Sequence, residues 1–308
     1  MGVLHKIKTL CHIWDTKRVL RNVKFLIEND LKDFHAALTD EILEDCVFEL
    51  DELRNFLLQQ APKILDRAES LALLLRQPKS FARFGDGEVA IMQGKDHIFQ
   101  KYDSRLAEKM FQVLRTKRDD LYIGINRMYF HSVMLGNLTD AGRNFHRMND
   151  KFLRKFFTEN TNPEIQYLDA CCFGGYFACA SNDIYADFIR MKRKLFEGRK
   201  IAVVTGRSVL EKLDYDIFDL AVSKIIIDAP SKDAFSAYDS ILRDISRNVN
   251  KDTLICLILG QTATVMVSDL TDMGYIAWDA GHIAKDYDFF MKNMVKTPQT
   301  QTDFFSAD

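Results

Sequence analysis

From residue 80 onward the chain alternates short apolar or β-branched runs with longer stretches of helical periodicity, and no other feature limits its fold as strongly. The runs are SFARFG, DLYIGI, IQYLDACCF, KIAVVTG, SKIIIDAP, DTLICLIL and YIAWDAG. Between them lie DSRLAEKMFQVLRTK, NDKFLRKFFTEN, SNDIYADFIRMKRKLFEG, DAFSAYDSILRDISRNV and TATVMVSDLTDMG. Strands separated by helices are joined by crossovers, which give a mainly parallel sheet with helices on both faces. The runs are continuously apolar, as expected of strands buried on both sides. The fold class is therefore α/β, and no internal repeat interrupts it.

The N-terminal quarter reads differently. Residues 1–25 carry Lys6, Lys8, Lys17, Arg18, Arg21 and Lys24 against Asp15, with Leu4, Ile7, Leu10, Ile13 and Trp14 at roughly helical spacing. Such a basic amphipathic segment can lie on an anionic membrane face, or it can be a solvated helix docked on the body of the protein. Residues 40–53, DEILEDCVFELDEL, hold seven acids, no base and an apolar stripe. That stripe can pack on the basic segment or on a second copy of the chain, which would make a homodimer. The expected division is a helical region over 1–76 and an α/β domain over 77–308.

A formal net charge of −2 offers no field for a polyanion, so no nucleic-acid partner is expected. None of the six cysteines forms a C-x-x-C pair, and no histidine cluster stands beside them. Reduced thiols and a cytoplasmic location are expected, at the inner face of the cell membrane if the basic segment binds lipid. No secretory h-region opens the chain, and no run of ~18 apolar residues could span a bilayer.

In an open α/β sheet ligands bind beyond the carboxyl ends of the strands, so the residues following each run carry the information. They are Gly85, Asp86, Gly87 and Glu88; Asn126, Arg127 and Tyr129; Thr205, Gly206, Arg207 and Ser208; Asp228, Pro230, Ser231, Lys232 and Asp233; Gly260, Gln261, Thr262 and Thr264; and Asp279, Gly281, His282, Asp286 and Asp288. Small and hydroxyl residues at helix starts present N–H groups to phosphate, and Arg83, Arg207 and Lys232 add positive charge. Carboxylates beside a phosphate site make sense with a divalent cation between them, since Mg²⁺ and Mn²⁺ favour carboxylate and phosphate oxygens. The set points to a nucleoside diphosphate with a metal. Asp86 and Glu88 flank a glycine: they can converge on one ion, or close a turn with Glu88 in the first turn of the next helix.

Other phosphate and hydrolase signatures are missing. GRSVLEKL lacks the G-x-x-x-x-G-K-[ST] pattern, no G-x-G-x-x-G follows a strand, and G-x-S-x-G does not occur. A methyltransferase would want a glycine-rich first loop and an acidic end to its second strand. His131 and His146 have no partners at metal-ligand spacing and read as surface or core histidines.

RFGDGE, followed by IIIDAPSKDAF, LGQTATVMVSDLTDMGY and DAGHIAKDYDFF, resembles the bacterial glycosyltransferases of the GT-D fold over about residues 78–293. The resemblance implies a Rossmann-like domain that transfers a sugar, typically glucose or a related hexose, from a UDP-sugar to a glycan or glycolipid acceptor in surface polysaccharide or glycoprotein synthesis. It implies that Asp86-Gly87-Glu88 serves Mn²⁺ or Mg²⁺ and the donor diphosphate, with His282 on the ion or the β-phosphate. The donor would meet Arg83, Gly85, Gly87, Thr205, Arg207, Ser208, Pro230, Lys232, Asp233, Gln261 and Thr262. Asp288, with Asp286 second, corresponds to the base. The chain departs from the family pattern at Asp233, where Asn is usual, at Gln261, where Pro is common, at Ala284, where an acid is frequent, and at Asp286 and Asp288, where the family often carries Glu. The reading from a different class is a non-catalytic nucleotide-sugar-binding or assembly subunit.

Overall fold

The computed structural model describes residues 61–130 and 138–306. The basic and acidic segments at 1–25 and 40–53 lie outside the described residues. Among the described residues eight strands form one sheet: β1 (Lys63–Ile64), β2 (Ser80–Phe84), β3 (Leu121–Ile125), β4 (Gln166–Asp169), β5 (Lys200–Thr205), β6 (Ser223–Asp228), β7 (Leu254–Leu257) and β8 (Ile276–Asp279). Their order is β1-β4-β3-β2-β8-β7-β5-β6, and every pair is parallel. The helices are α1 (Arg67–Arg76), α2 (Asp86–Met92), α3 (Ser104–Arg115), α4 (Asp140–Asn160), α5 (Asn182–Lys194), α6 (Arg207–Glu211), α7 (Tyr238–Asn248), α8 (Gln261–Asp272), α9 (Ile283–Met291) and α10 (Pro298–Phe304).

The continuous apolar runs divide by alternation into two cores, because successive strand residues face opposite sides of the sheet. Ala82, Phe84, Val204, Ile255 and Leu257 pack with α3 and α8 on one face. Phe81, Val203, Cys256 and Trp278 pack with Leu71 and Leu74 of α1 and Ile283 of α9 on the other. Each fully buried Leu or Phe contributes about 1.5–3 kcal/mol relative to exposure, so both faces are needed to hold a sheet this wide.

Two expectations change here. The boundary at residue 76 marks no structural break, because β1 already pairs with β4 in the sheet. α1 belongs to the same body: Asp66 and Glu69 cap its start reciprocally, and Ser70 Oγ accepts a hydrogen bond from Asp169 N at the end of β4. β6 was expected to be buried on both faces, yet only Ile227 is, while Ile225 and Ile226 remain 40% and 36% exposed. The reason is position: β6 ends the sheet and pairs with β5 alone.

Candidate active site

The loops beyond the carboxyl ends of β2, β3, β4, β7 and β8 enclose a cavity of about 500 Å³. Its floor is built by two neighbouring strands from opposite ends of the domain. Arg83 of β2 donates through Nη2 to Asp279 Oδ1 (2.9 Å), through Nε to Asp279 O (2.7 Å) and through Nη1 to Ala170 O (3.0 Å). Burial alone would lower the guanidinium, but Asp279 holds it above its ordinary pKa. Arg83 is thus a fixed part of the floor, with its donors turned to the protein.

The GDGE stretch opens α2. Gly85 is the N-cap, and Glu88 reaches back so that its Oε2 accepts from Gly85 N at 2.7 Å. The turn reading is therefore correct for Glu88, and one of its oxygens is committed to the cap. Removal from water, then the charges of Asp279 and Asp86, push the Glu88 carboxyl up to about 7. Asp86, one residue into the helix, is exposed at the cavity. A Cβ on Gly87 would sit 2.2 Å from Gln261 Nε2, so a larger residue there must push the Gln261 amide aside.

Gln261 begins α8, and its Nε2 donates to His97 Nδ1 at 3.0 Å while its buried Oε1 has no hydrogen-bond partner among the described residues. Burial lowers His97, with Asp86 opposing. His282 is the N-cap of α9, framed by the rings of Phe99, Phe304 and Phe305. Burial and the neighbouring cations Arg83 and Lys285 lower it to about 4, so it is a neutral imidazole at pH 7. Gly281 before it has φ +51°, and a Cβ there would lie 2.8 Å from Arg83 Cζ and closer still to Nη2. Gly281→Ala should therefore cost about 2–3 kcal/mol through left-handed strain and displacement of Arg83. Urea denaturation checks this, and an unchanged midpoint would show that the loop has slack.

Seven of the predicted residues line this cavity together: Arg83, Gly85, Asp86, Gly87, Glu88, Gln261 and His282. Thr205, Arg207, Ser208, Pro230, Lys232, Asp233 and Thr262 do not. Arg207 and Ser208 open α6 on the surface, with Arg207 N donating to Asp228 Oδ1, and Pro230 and Lys232 are exposed. Thr262 donates to Gln100 Oε1, and Asp233 accepts from Gln100 Nε2. Asp233 instead borders a separate groove of about 640 Å³ with Lys101, Tyr102 and Arg105.

The two expected bases are also elsewhere, and this is a correction. Asp286 is fully buried on the inner side of α9, accepting from Tyr176 N (2.9 Å), Tyr185 Oη and Lys192 Nζ (2.8 Å). Asp288, also fully buried, accepts from Asp214 N and Tyr215 N and pairs with Lys292 Nζ at 2.7 Å. Neither lines the cavity, because each carboxylate is consumed in anchoring α9. Sequence reasoning missed His97, which follows α2 with no diagnostic spacing. His146 is buried, as one of the two readings had it, but it also lines the cavity and meets Asp150 on α4, which its spacing did not announce. Cys171 lines the cavity as well, but burial and Asp169 push its thiol up to about 12, so it is no nucleophile at neutral pH.

A family model described as "Glycosyltransferase GT-D fold" matches residues 81–305, the stretch that supplies the cavity from β2 to α10. The chain belongs to the GT-D family. A solved GT-D structure, described as the highly conserved domain of unknown function 1792 with a distinct glycosyltransferase fold, is similar at a TM-score of 0.71 and 29% identity, over 79% of this chain and 86% of that one. Another, described as a new glycosyltransferase from Streptococcus sanguinis, gives 0.69 and 25% over 77% and 87%. Among curated proteins, the probable glycosyl transferase Gly of Streptococcus gordonii is 28% identical over 239 residues, and glycosyltransferase GlyD of Streptococcus pneumoniae serotype 4 is 28% identical over 240. Each match covers 74% of this GT-D chain but only 33% and 28% of those proteins, so the chain spans about a third of their length.

Proposed function

We propose that the chain is a glycosyltransferase that moves a hexose from a UDP-sugar to a glycan or glycolipid acceptor with Mn²⁺ or Mg²⁺, in surface glycoconjugate synthesis. The observation that carries this reading is the cavity floor. Asp86, Glu88 and Asp279 line it with two guanidiniums, Arg67 and Arg83, and removal from water, then the charges of Asp279 and Asp86, raises Glu88 to about 7. A cavity meant for a diphosphate alone would not accumulate acids; one meant for a diphosphate with a divalent cation would. Among the described residues no three His, Cys, Asp or Glu side chains converge into a complete metal site. Mg²⁺ and Mn²⁺ typically take one or two carboxylates and complete their shell with phosphate oxygens and water, so this donor set fits.

Asp86, with Glu88 behind it, would hold the cation, which supplies Lewis-acid neutralisation of the departing diphosphate. His282, neutral at pH 7, is suited to the ion or to a hydrogen bond with the β-phosphate. The N–H groups that open α8 favour the diphosphate. Gln261 Oε1 is a buried acceptor awaiting a ligand donor. The aromatic wall of Phe99, Phe304 and Phe305 keeps water from the reacting centre. The residues at the ends of β5 and β6 meet the donor only if it extends beyond this cavity.

The test is a panel of UDP-sugars with and without Mn²⁺. A ligand at a hundred times its dissociation constant stabilises the native state by about 2.7 kcal/mol, which here is a rise of about 5–10 °C in Tm. The preferred donor should show that rise with Mn²⁺ and release UDP on incubation. The burial of both expected bases favours a second reading, a nucleotide-sugar-binding module; tight UDP binding without turnover of any donor would establish it. The basic N-terminal segment is proposed as a peripheral membrane contact, and no helix among the described residues is long and apolar enough to cross a membrane. A homodimer through the acidic segment is likewise proposed, to be checked by sedimentation.

A further inference from the structure

With Asp286 and Asp288 in the core, sugar transfer needs another group to take the acceptor's proton. His146 of α4 lines the cavity, and its Nδ1 lies 2.9 Å from Oδ1 and 3.1 Å from Oδ2 of Asp150, one turn along the helix. Asp150 is fully buried and His146 only 4% exposed, so the pair is held in one arrangement. A carboxylate accepts, so Nδ1 carries the hydrogen and Nε2 is left with its lone pair. His97 has the opposite arrangement. Its Nδ1 accepts from the Gln261 amide, which puts the hydrogen on Nε2 and makes that nitrogen a donor. His282 is enclosed by Phe99, Phe304 and Phe305 beside the Arg83 floor.

His146 also stands at a useful distance from the GDGE turn. Tyr129 lies between them: its Oη is 3.8 Å from where a Cβ on Gly85 would be, and its ring centre is 5.9 Å from that of His146. Tyr129 thus packs beside both the GDGE turn and His146, and all three line one cavity. The imidazole faces the same cavity in which a sugar carried by the diphosphate would lie.

We infer that His146, oriented by Asp150, is the general base of the reaction; the inference rests on the glycosyl-transfer reading above. In the step, an oxygen lone pair of the acceptor hydroxyl forms the new bond to the anomeric carbon. The bond from that carbon to the β-phosphate oxygen breaks, and its electron pair leaves with UDP. The hydroxyl proton passes to His146 Nε2, and the imidazolium is stabilised by the ionised Asp150 until it returns the proton to solvent. His146 is a catalytic residue in this scheme and Asp150 a positioning residue.

The experiment uses the full chain with UDP-glucose and other UDP-hexoses, Mn²⁺ and water as acceptor, reading released UDP, together with UDP affinity by calorimetry and Tm. His146→Gln should lower turnover at saturating donor about 10²- to 10⁴-fold. KM for the donor and Kd for UDP should stay within about twofold, the split expected of a group that acts only in the transition state. Asp150→Asn should show the same split with a loss of at least about tenfold, since an amide no longer fixes the tautomer. A merely structural pair would instead lower Tm and UDP affinity and spare turnover per folded molecule. Turnover of His146→Gln within about threefold of the parent, or a loss accounted for by Tm or UDP affinity, overturns the assignment and leaves the transferase reading standing. A parent protein that binds UDP but releases none from any UDP-hexose overturns the transferase reading, and the base falls with it.

Discussion

Replacing Asp286 by alanine should destabilise the protein by about 3–5 kcal/mol, the cost of leaving a buried charge without its partner. Lys192 Nζ, with no exposed surface, would lose its carboxylate, and Tyr176 N and Tyr185 Oη would lose their acceptor. Burial already lowers Lys192, and the attraction of Asp286 is what opposes that. Without the acid, the lysine must either shed its proton or draw water into the core. Equilibrium unfolding in urea reads the change directly. A loss below about 1 kcal/mol would mean that α9 does not depend on the network. The companion observation is UDP affinity per folded molecule, which should stay near that of the parent because Asp286 is outside the cavity. Replacing Lys192 and Asp286 together by apolar residues of similar size should recover most of the stability, because paired burial and apolar packing are nearly equivalent in energy.

Asp86→Ala should do the reverse. The side chain is exposed, so stability should change by no more than about 0.5 kcal/mol. Turnover of the preferred donor should fall by at least about 10²-fold, corresponding to about 2.7 kcal/mol of lost transition-state stabilisation, and the response to Mn²⁺ should weaken with it. Retained turnover with an undiminished Mn²⁺ response would remove Asp86 from the metal site. Glu88 cannot serve for so clean a test: its carboxylate also caps α2 through Gly85 N, and a lost cap costs about 1 kcal/mol by itself.

The strand–helix alternation was readable because each crossover needs its own apolar run, and those runs became β2 to β5, β7 and β8. β1 left no such trace: two residues, Lys63 and Ile64, are held by register with β4 rather than by composition. β6 looked like a buried strand because IIID is apolar, and only its place at the end of the sheet leaves those side chains uncovered. The GDGE stretch was legible because it directly follows a strand, where the topology collects ligands. The D-Y-D acids were misread for the opposite reason. They also follow a strand; Lys292 lies at i+4 from Asp288, but the partners that bury them, Tyr185, Lys192 and the Asp214–Tyr215 backbone, come from far upstream. His146 and Asp150 sit at i and i+4, a spacing common on any helix; it gains meaning only when Tyr129 and the Gly85 turn close around it.

The floor of the cavity joins Arg83 to Asp279, 196 residues apart in the chain. On a ribosome adding 5–20 residues per second, roughly 10–40 s pass between the appearance of the two residues. During that interval the guanidinium lacks the carboxylate and backbone carbonyl of Asp279, and the first strand of the floor has no β8 neighbour. A nascent chain therefore carries the GDGE stretch before its pocket exists, and the cavity floor is completed only when β8 inserts between β2 and β7.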